Sequence, residues 1–166
     1  ALDEEILKYD SLINNIERTI KCSKYEISDI HKFPSIMSVE DILIQSSNIG
    51  AIRIAREIGE NKYKKFINKL NLLETSKIEL NEIGTPLLFE WNKCKLETVS
   101  FGHGIMITPL QAATAYAAIS NGGYFVNPSL IKKNKNEVIK TKRIISNDTS
   151  KKINNILRKV VTDENG

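Results

Sequence analysis

Hydrophobic positions recur at the spacing of an α-helix through the middle of the chain. Ser38, followed by Asp41 three residues later, resembles a capping box and predicts a helix that continues through Gln45. A second helix is predicted over residues 48–58 and a third begins soon after Gly59, a residue that commonly ends helices. The apolar positions that define the second and third helices are Ile49, Ile52, Ala55, Ile58, Tyr63, Phe66, Ile67 and Leu70. This part of the chain is therefore predicted to be helical.

A further helix start lies in the second half of the chain. Thr108 is a good N-cap, Pro109 suits the first helical position, and Gln111 completes a capping box. The alanine-rich stretch that follows ends at Asn121-Gly122-Gly123. Because alanine lets neighbouring elements approach closely, we expect a buried central helix, with the two helices that flank Ser46 packed near it.

The remaining segments predict minor elements. Residues 2–12 are compatible with a short helix or with the end of a longer one. Residues 19–33 are compatible with short extended segments, and residues 124–133 and 138–145 with a strand pair. A last amphipathic helix follows Ser146, with its apolar stripe at Ile153, Ile156, Leu157 and Val160. The pattern predicts a mainly helical α+β chain in which strands are short and no large central sheet forms.

Composition is that of one ordinary domain. The chain has 166 residues, of which 41% are hydrophobic, and this is enough for a sizeable core. Its net charge of +4 comes from 24 basic and 20 acidic residues spread along the whole length. The densest basic run, residues 131–145, contains no aromatic side chain that could stack on a base. We interpret it as a solvated face and predict no nucleic-acid partner.

The cysteines and histidines do not have the spacing of a metal site. Cys22 and Cys94 are far apart and are not paired with His31 or His103, so neither a zinc site nor a disulfide framework is predicted. His31 follows Asp29 closely, which favours a local hydrogen-bonded pair. His103 lies between two glycines, and a structural hydrogen bond is the simpler interpretation than contact with substrate.

The two ends of the sequence suggest a piece of a longer protein. The chain begins without Met, ends in "VVTDENG", and has no basic start of the kind found in signal peptides. No apolar run approaches the roughly 18 residues of a membrane span. We therefore expect that further segments belong to the same protein.

Three small polar residues, Ser46, Ser47 and Asn48, lie where the first predicted helix ends and the second begins. Serine and asparagine satisfy free N–H groups at helix starts, so this stretch could simply end one helix and cap the next. Ser47 is the best candidate for that capping role. The chemistry of Ser46 and Asn48 depends on what the rest of the chain resembles.

Two longer motifs accompany this turn: "SSNIGAIRIAREIG" and "SFGHGIMITPLQAATAYAAISNGG". Together with the distance between them, they resemble the transpeptidase domain of class B penicillin-binding proteins, and the form "SFGHG…TPLQ" is most similar to the septal, cell-division branch. The resemblance implies an α+β fold like that of serine β-lactamases, of which residues 1–166 would be the mainly helical portion with minor strands.

The family works with three motifs in the order Ser-x-x-Lys, Ser-x-Asn and Lys-Thr-Gly. Only the middle motif is matched, by residues 46–48, and we expect that the nucleophile helix and the Lys-Thr-Gly strand have been cut away from this partial domain. Residues 129–132 fit Ser-x-x-Lys but follow the Ser-x-Asn motif in an extended segment, where positions i and i+3 face opposite ways. Residues 140–142, Lys-Thr-Lys, lack the required glycine. Neither is expected to be functional.

The resemblance assigns roles to two residues of this chain. A serine attacks a stem peptide that ends in D-Ala-D-Ala, and Ser46 would relay a proton toward the leaving amine while the amide of Asn48 positions the substrate. The implied ligands are stem peptides and β-lactams, the implied partners are cell-division membrane proteins, and no cofactor is implied. The parent would lie on the periplasmic face of the bacterial inner membrane, anchored by an N-terminal transmembrane helix outside this chain, and the fragment alone is expected to be inactive.

Two other classes of function remain open at this point. The chain could be a non-catalytic helical interaction module that keeps the fold without the chemistry. A basic nucleic-acid-binding helical domain is the third alternative, and it would show strongly salt-dependent binding.

Overall fold

Short helices account for most of the regular structure. The computed structural model describes residues 1–88, 90–132, 141–164 and 166. The helices within these residues are α1 (Val39–Ile44), α2 (Asn48–Ile58), α3 (Glu60–Lys69), α4 (Lys95–Ser100), α5 (Pro109–Ser120) and α6 (Asn147–Thr162). Among the described residues no helix combines the length and the apolar character needed to cross a bilayer.

The strands form small antiparallel pairs. These pairs are β1 (Leu12–Ile13) with β4 (Met37–Ser38), β2 (Thr19–Cys22) with β3 (Tyr25–Ser28), β5 (Leu87–Leu88) with β6 (Ile105–Met106), and β7 (Tyr124–Val126) with β8 (Thr141–Arg143). Every sheet in the described part of the chain has two strands, so the prediction of an α+β chain without a large central sheet is confirmed. The predicted strand pair in the second half forms, but each strand has three residues, and residues 133–140 lie outside the described residues.

Predicted helix starts are confirmed by their hydrogen bonds. The hydroxyl of Ser38 accepts from the backbone N–H of Asp41 at 3.0 Å, and that of Ser146 accepts from the N–H of Thr149 at 3.1 Å. At the start of α5, the complete Thr108 capping box is present. Each bond satisfies an N–H that the helix itself leaves unpaired. The capping residue therefore indicates the position at which its helix begins.

The predicted helix in residues 2–12 is wrong. This segment forms turns instead, with the N–H of Glu5 donating to the carbonyl of Leu2 at 3.2 Å. Glu5 has a left-handed φ of +52°, which a continuing α-helix does not allow. Leu12, at the end of this segment, belongs to β1 and pairs with Ser38 of β4.

Two hydrophobic clusters form the core. The first joins β1–β4 to α1 and α2 and contains Ile49 and Ile52, both fully buried. The second lies between α5, α6 and the β7–β8 hairpin, and it includes Ala118 and Phe125. The first cluster fixes the elements on either side of Ser46.

The prediction that α5 is a buried central helix is only partly right. Its buried residues, Gln111, Ala115 and Ala118, lie on one side, whereas the side chain of Tyr116 is 61% exposed. The helix packs on α6 and β7, while α1 packs on α6 and α2 packs on α4. Alanine is compatible with both a buried and an exposed face, so the alanine-rich sequence could not indicate which neighbours α5 would have.

The spacing of the cysteines indicates no disulfide framework, and this prediction is wrong. Cys22 on β2 and Cys94 before α4 form a disulfide, with their Cα atoms 5.7 Å apart and the two residues 72 positions apart in sequence. The β2–β3 hairpin and α4 both pack against α2, which brings the two cysteines together. A spacing of 72 residues contains no information about this proximity, which depends on the tertiary fold.

Candidate active site

The turn that carries Ser46 is a Schellman motif at the end of α1. The C-cap of the helix is Gln45. The N–H of Ser46 donates to the carbonyl of Leu43 at 3.4 Å, and the N–H of Ser47 donates to the carbonyl of Ile42 at 3.0 Å. This pair of bonds is the one that defines the motif. Ser46 therefore occupies the position directly after the C-cap.

Ser46 holds a backbone conformation that usually belongs to glycine. Its φ is +55°, in the left-handed region where a Cβ atom costs roughly 1–2 kcal/mol. The side chain is exposed and makes no hydrogen bond to the described residues. Glycine would suit the backbone of this turn at least as well, and the hydroxyl of Ser46 forms no hydrogen bond that holds the turn among the described residues.

Ser47 has the capping role that the sequence predicts. It is the N-cap of α2 and is only 2% exposed. Its hydroxyl accepts from the N–H of Gly50 at 2.9 Å and donates to Oδ2 of Asp29 at 3.0 Å. The middle residue of the motif is thus a structural one.

Asp29 provides a second cap that sequence reasoning missed. Its Oδ1 accepts from the N–H of Asn48 at 2.5 Å and from the N–H of Ile49 at 3.1 Å. A carboxylate at this place pairs two free donors and complements the positive end of the helix dipole. Asp29 precedes the turn by 17 residues, and no local pattern relates it to α2. The predicted pair of Asp29 with His31 is wrong, because the carboxylate is used by α2 and Ser47.

The amide of Asn48 ties α2 to the β2–β3 hairpin. Its Nδ2 donates to the carbonyl of Ser28 at 3.0 Å, which fixes the orientation of the amide plane. Neither the oxygen nor the second N–H of this amide has a partner among the described residues. The arrangement leaves one acceptor and one donor of Asn48 for a ligand.

Gly50 allows α1 and α2 to approach closely beside the turn. A Cβ atom at this position would lie 2.6 Å from both Cγ1 and Cγ2 of Ile42, far inside van der Waals contact. Any larger residue would force the two helices apart or displace the Ile42 side chain. The geometry of the Ser46–Asn48 turn depends on this contact.

Neither imidazole ring makes a hydrogen bond among the described residues, although the backbone N–H of His103 donates to the carbonyl of Thr98 at 2.9 Å. The ring of His31 contacts Phe33 edge-on, with centroids 6.4 Å apart, and the ring of His103 stacks on Phe101 at 6.2 Å. Both imidazoles are exposed. The loop around His103 is held instead by the buried Lys95, whose Nζ donates to the carbonyl of Gly104 at 2.5 Å.

A cavity of about 240 Å³ adjoins this end of α2. Ser28, Asp29 and His31 are among the residues that line it, whereas Ser46 and Asn48 do not. Asp29 therefore has one face on the cavity and the other on the turn. The structure brings the hydroxyl of Ser46 and the amide of Asn48 to one rigid turn but does not place them in this cavity.

Residues 129–132 and 140–142 are the two segments that partly fit a family motif but are not expected to be functional. Ser129 lies outside any helix, and its hydroxyl donates to Oε1 of Glu79 at 2.7 Å. A nucleophilic serine needs a base, and on a helix the lysine at i+3 would lie on the same face. The second segment, residues 140–142, lies partly outside the described residues.

Comparisons with known proteins agree with the motifs. All 166 residues match the family described as "Penicillin binding protein transpeptidase domain". The chain is 33% identical over 143 residues to a Caulobacter vibrioides protein named "Probable peptidoglycan D,D-transpeptidase FtsI", covering 84% of this chain and 24% of that protein. It is 29% identical over 139 residues to the stage V sporulation protein D of Bacillus subtilis, covering 76% of this chain and 22% of that one.

The fold is also that of a solved transpeptidase domain. The transpeptidase domain of Burkholderia pseudomallei penicillin-binding protein 3 superposes with a TM-score of 0.89 at 23% identity, covering 99% of this chain and 50% of that one. The chain thus spans about a quarter of the length of the curated relatives and half of the solved domain. It belongs to the penicillin-binding protein transpeptidase domain family.

Proposed function

We propose that the protein containing this chain is a serine-type peptidoglycan D,D-transpeptidase of septal cell-wall synthesis, and that Ser46 and Asn48 belong to its catalytic cleft. The observation that supports this most strongly is the Ser-x-Asn turn itself, in which Ser46 presents an exposed hydroxyl without a partner among the described residues. Ser46 is also one of six non-glycine residues with a positive φ in the described part of the chain, at a helix end that favours glycine. Unfavourable backbone conformations of this kind cluster at active sites, where surrounding structure maintains them.

In the proposed reaction, a serine hydroxyl attacks the carbonyl carbon of the penultimate D-Ala of a stem peptide. The C–N bond to the terminal D-Ala breaks, and an ester joins the peptide to the enzyme. An amine of a neighbouring stem peptide then attacks this ester, which forms the cross-link and returns the serine. A β-lactam would be attacked in the same way and would remain attached as a stable ester.

Two proton movements accompany the first step, and Ser46 is suited to one of them. The attacking hydroxyl loses a proton, and the departing nitrogen gains one. A hydroxyl is both a donor and an acceptor, so the Ser46 side chain can pass a proton to the leaving nitrogen while it receives one from the catalytic base. The rigid Schellman turn holds this hydroxyl without any need for reorganisation during the reaction.

Asn48 is proposed to position the substrate. Its amide plane is fixed by the bond from Nδ2 to Ser28, so its free oxygen and second N–H point in set directions. These two groups match the N–H and carbonyl of one peptide unit. Asp29 and Ser47 act behind this contact by holding the first turn of α2, which carries Asn48.

The nucleophile and its base are proposed to come from a Ser-x-x-Lys segment outside this chain, and the strand that closes the cleft from a Lys-Thr-Gly segment, also outside it. The isolated chain is accordingly proposed to form no covalent adduct with penicillin, because an unactivated serine hydroxyl is a poor nucleophile. Intact-mass spectrometry after long incubation with excess penicillin tests this directly.

The parent protein is proposed to act on the periplasmic face of the inner membrane, anchored by an N-terminal transmembrane helix and working with cell-division membrane proteins. The Cys22–Cys94 disulfide supports this placement, since disulfides persist in the bacterial periplasm and are rare in the cytosol. The septal role is supported by the "SFGHG…TPLQ" form and by the relative named FtsI.

Acylation of the full-length protein by a fluorescent penicillin tests the proposal. Ser46→Ala should slow acylation about a hundredfold, the usual worth of a positioned proton-transfer group, while the protein stays folded. Ser129→Ala is the matched control and should acylate at the normal rate. A Ser46→Ala protein that acylates within threefold of the wild type would remove Ser46 from the mechanism.

A further inference from the structure

A cleft lined by lysines lies outside the Ser46–Asn48 turn and shares no residue with it. It has a volume of about 680 Å³ and is formed by the C-terminal half of α3, the segment that follows α3, and residues 125, 127 and 142 on or beside strands β7 and β8. Its cations come from separate parts of the chain: Lys65, Lys69, Lys77 and Lys142. One carboxylate, that of Glu74, faces them. We call this feature the lysine cleft.

The lysines of the cleft differ from their neighbours on α3. Lys62 and Lys64 are neutralised by Glu4 and Glu60, at 3.5 and 2.6 Å. By contrast, no carboxylate of the described residues forms a salt bridge with any of the four cleft lysines. Asp3 acts on Lys69 through space without forming an ion pair with it. The cleft side of the helix nevertheless keeps a net positive field, because the four lysines outnumber the carboxylates near them. A concave surface of one sign of charge concentrates and steers ligands of the opposite sign.

The other groups in the cleft indicate the class of ligand. Three amides, those of Asn68, Asn71 and Asn127, line the cleft together with the lysines, and each can both donate to and accept from a peptide unit. The aromatic residue of the cleft, Phe125, is only 7% exposed, so it offers no platform for stacking a base. A recess suits an extended chain better than the flat surface of a bilayer.

We propose that the lysine cleft binds an acidic peptide segment of a protein partner, with side-chain carboxylates on the lysines and backbone groups on the asparagine amides. Glu74 opposes this binding by charge and limits it to segments that carry several acids. The proposal rests on the cleft alone and does not depend on the acyl-transfer chemistry of Ser46.

The test measures binding of a fluorescein-labelled peptide of alternating Glu and Ala to the full-length protein by fluorescence anisotropy. The cleft variant is Lys65→Gln with Lys69→Gln and Lys142→Gln. The control variant removes the same charge elsewhere, at Lys8, Lys21 and Lys151, which are exposed and lie outside the cleft. We expect the cleft variant to bind about tenfold or more weakly, the control variant to bind within twofold of the wild type, and Glu74→Gln to bind more tightly.

Several results would overturn the proposal. Equal weakening in the cleft and control variants would mean that net charge alone attracts the peptide. Failure of the wild type to bind the acidic peptide, together with binding of a water-soluble short-chain phosphatidylglycerol that the cleft variant loses, would show that the cleft contacts lipid headgroups. Each variant is also acylated with fluorescent penicillin: a normal rate shows that it is folded and separates this proposal from the transpeptidase one.

Discussion

At the scale of single residues, the Ser-x-Asn stretch contains one residue that the fold uses as a cap and two residues with polar groups that the fold does not use. Ser47 is buried and fully used as a cap, whereas the hydroxyl of Ser46 and part of the amide of Asn48 have no partner among the described residues. Polar groups without partners on a rigid turn are what a ligand-binding position requires. The proposed chemistry therefore falls on Ser46 and Asn48, whereas Ser47 has a structural role.

Asn48→Ala tests the split role of the asparagine. Loss of the bond to Ser28 should lower the free energy of unfolding by about 0.5–1.5 kcal/mol, as for an ordinary hydrogen bond. Acylation of the full-length protein should fall by more than the unfolded fraction explains, because substrate positioning is lost. Urea unfolding and fluorescent-penicillin labelling of the same sample measure both. Early melting with normal acylation of the folded fraction would leave Asn48 only a structural role.

At the scale of elements, the site depends on how closely α1 and α2 pack. The two helices meet at Ile42 and Gly50, on either side of the turn, and Asp29 from the end of the hairpin completes the N-terminus of α2. The α1 end, the α2 start and the hairpin therefore act as one unit that presents Ser46 and Asn48. A change in the packing of any of the three is expected to reach the turn.

Gly50→Ala tests this dependence. The added methyl group would overlap the Ile42 side chain, so the free energy of unfolding should fall by about 1–3 kcal/mol, the usual cost of overpacking a core. Ile42→Ala removes the overlapping atoms, and in that background Gly50→Ala should cost less. Chemical denaturation of the four proteins of this double-mutant cycle gives the coupling. Additive costs would mean that the two residues are not in the contact described.

The parts of the fold that could be predicted are those with local causes. The capping residues Ser38, Ser47, Thr108 and Ser146 each act within three positions of their partner, so their helices begin where the sequence indicates. The role of Asp29 and the Cys22–Cys94 pairing depend on contacts across many residues, and no local pattern reports them. The neighbours of α5 were mispredicted for the same reason.

At the scale of the whole molecule, a disulfide joins the β2–β3 hairpin, which Asp29 follows, to the start of α4. The disulfide closes a loop of 72 positions that includes α1, α2 and α3. A cross-link of this length restricts the unfolded chain strongly, which raises the stability of the folded state. It also keeps the hairpin against the first core cluster, of which Cys22 is a member.

Replacing both cysteines with alanine should lower the free energy of unfolding by about 2–5 kcal/mol, the usual range for removal of a native disulfide. Thermal unfolding of the oxidised wild type, the reduced wild type and the double variant measures this. Reduction and double replacement should have similar effects. An oxidised protein that still reacts with thiol reagents after denaturation, at two thiols per chain, would contradict the pairing.

The central claim is that Ser46 keeps its hydroxyl for chemistry at a position where the turn favours glycine, and Ser46→Gly in the full-length protein tests it most directly. Glycine removes the left-handed Cβ cost, so the free energy of unfolding should be unchanged or raised by up to about 1 kcal/mol. Acylation by fluorescent penicillin, measured on the same preparation, should nevertheless be slowed about a hundredfold. Normal acylation would contradict the relay role of Ser46, and a clear loss of stability would contradict the account of the turn.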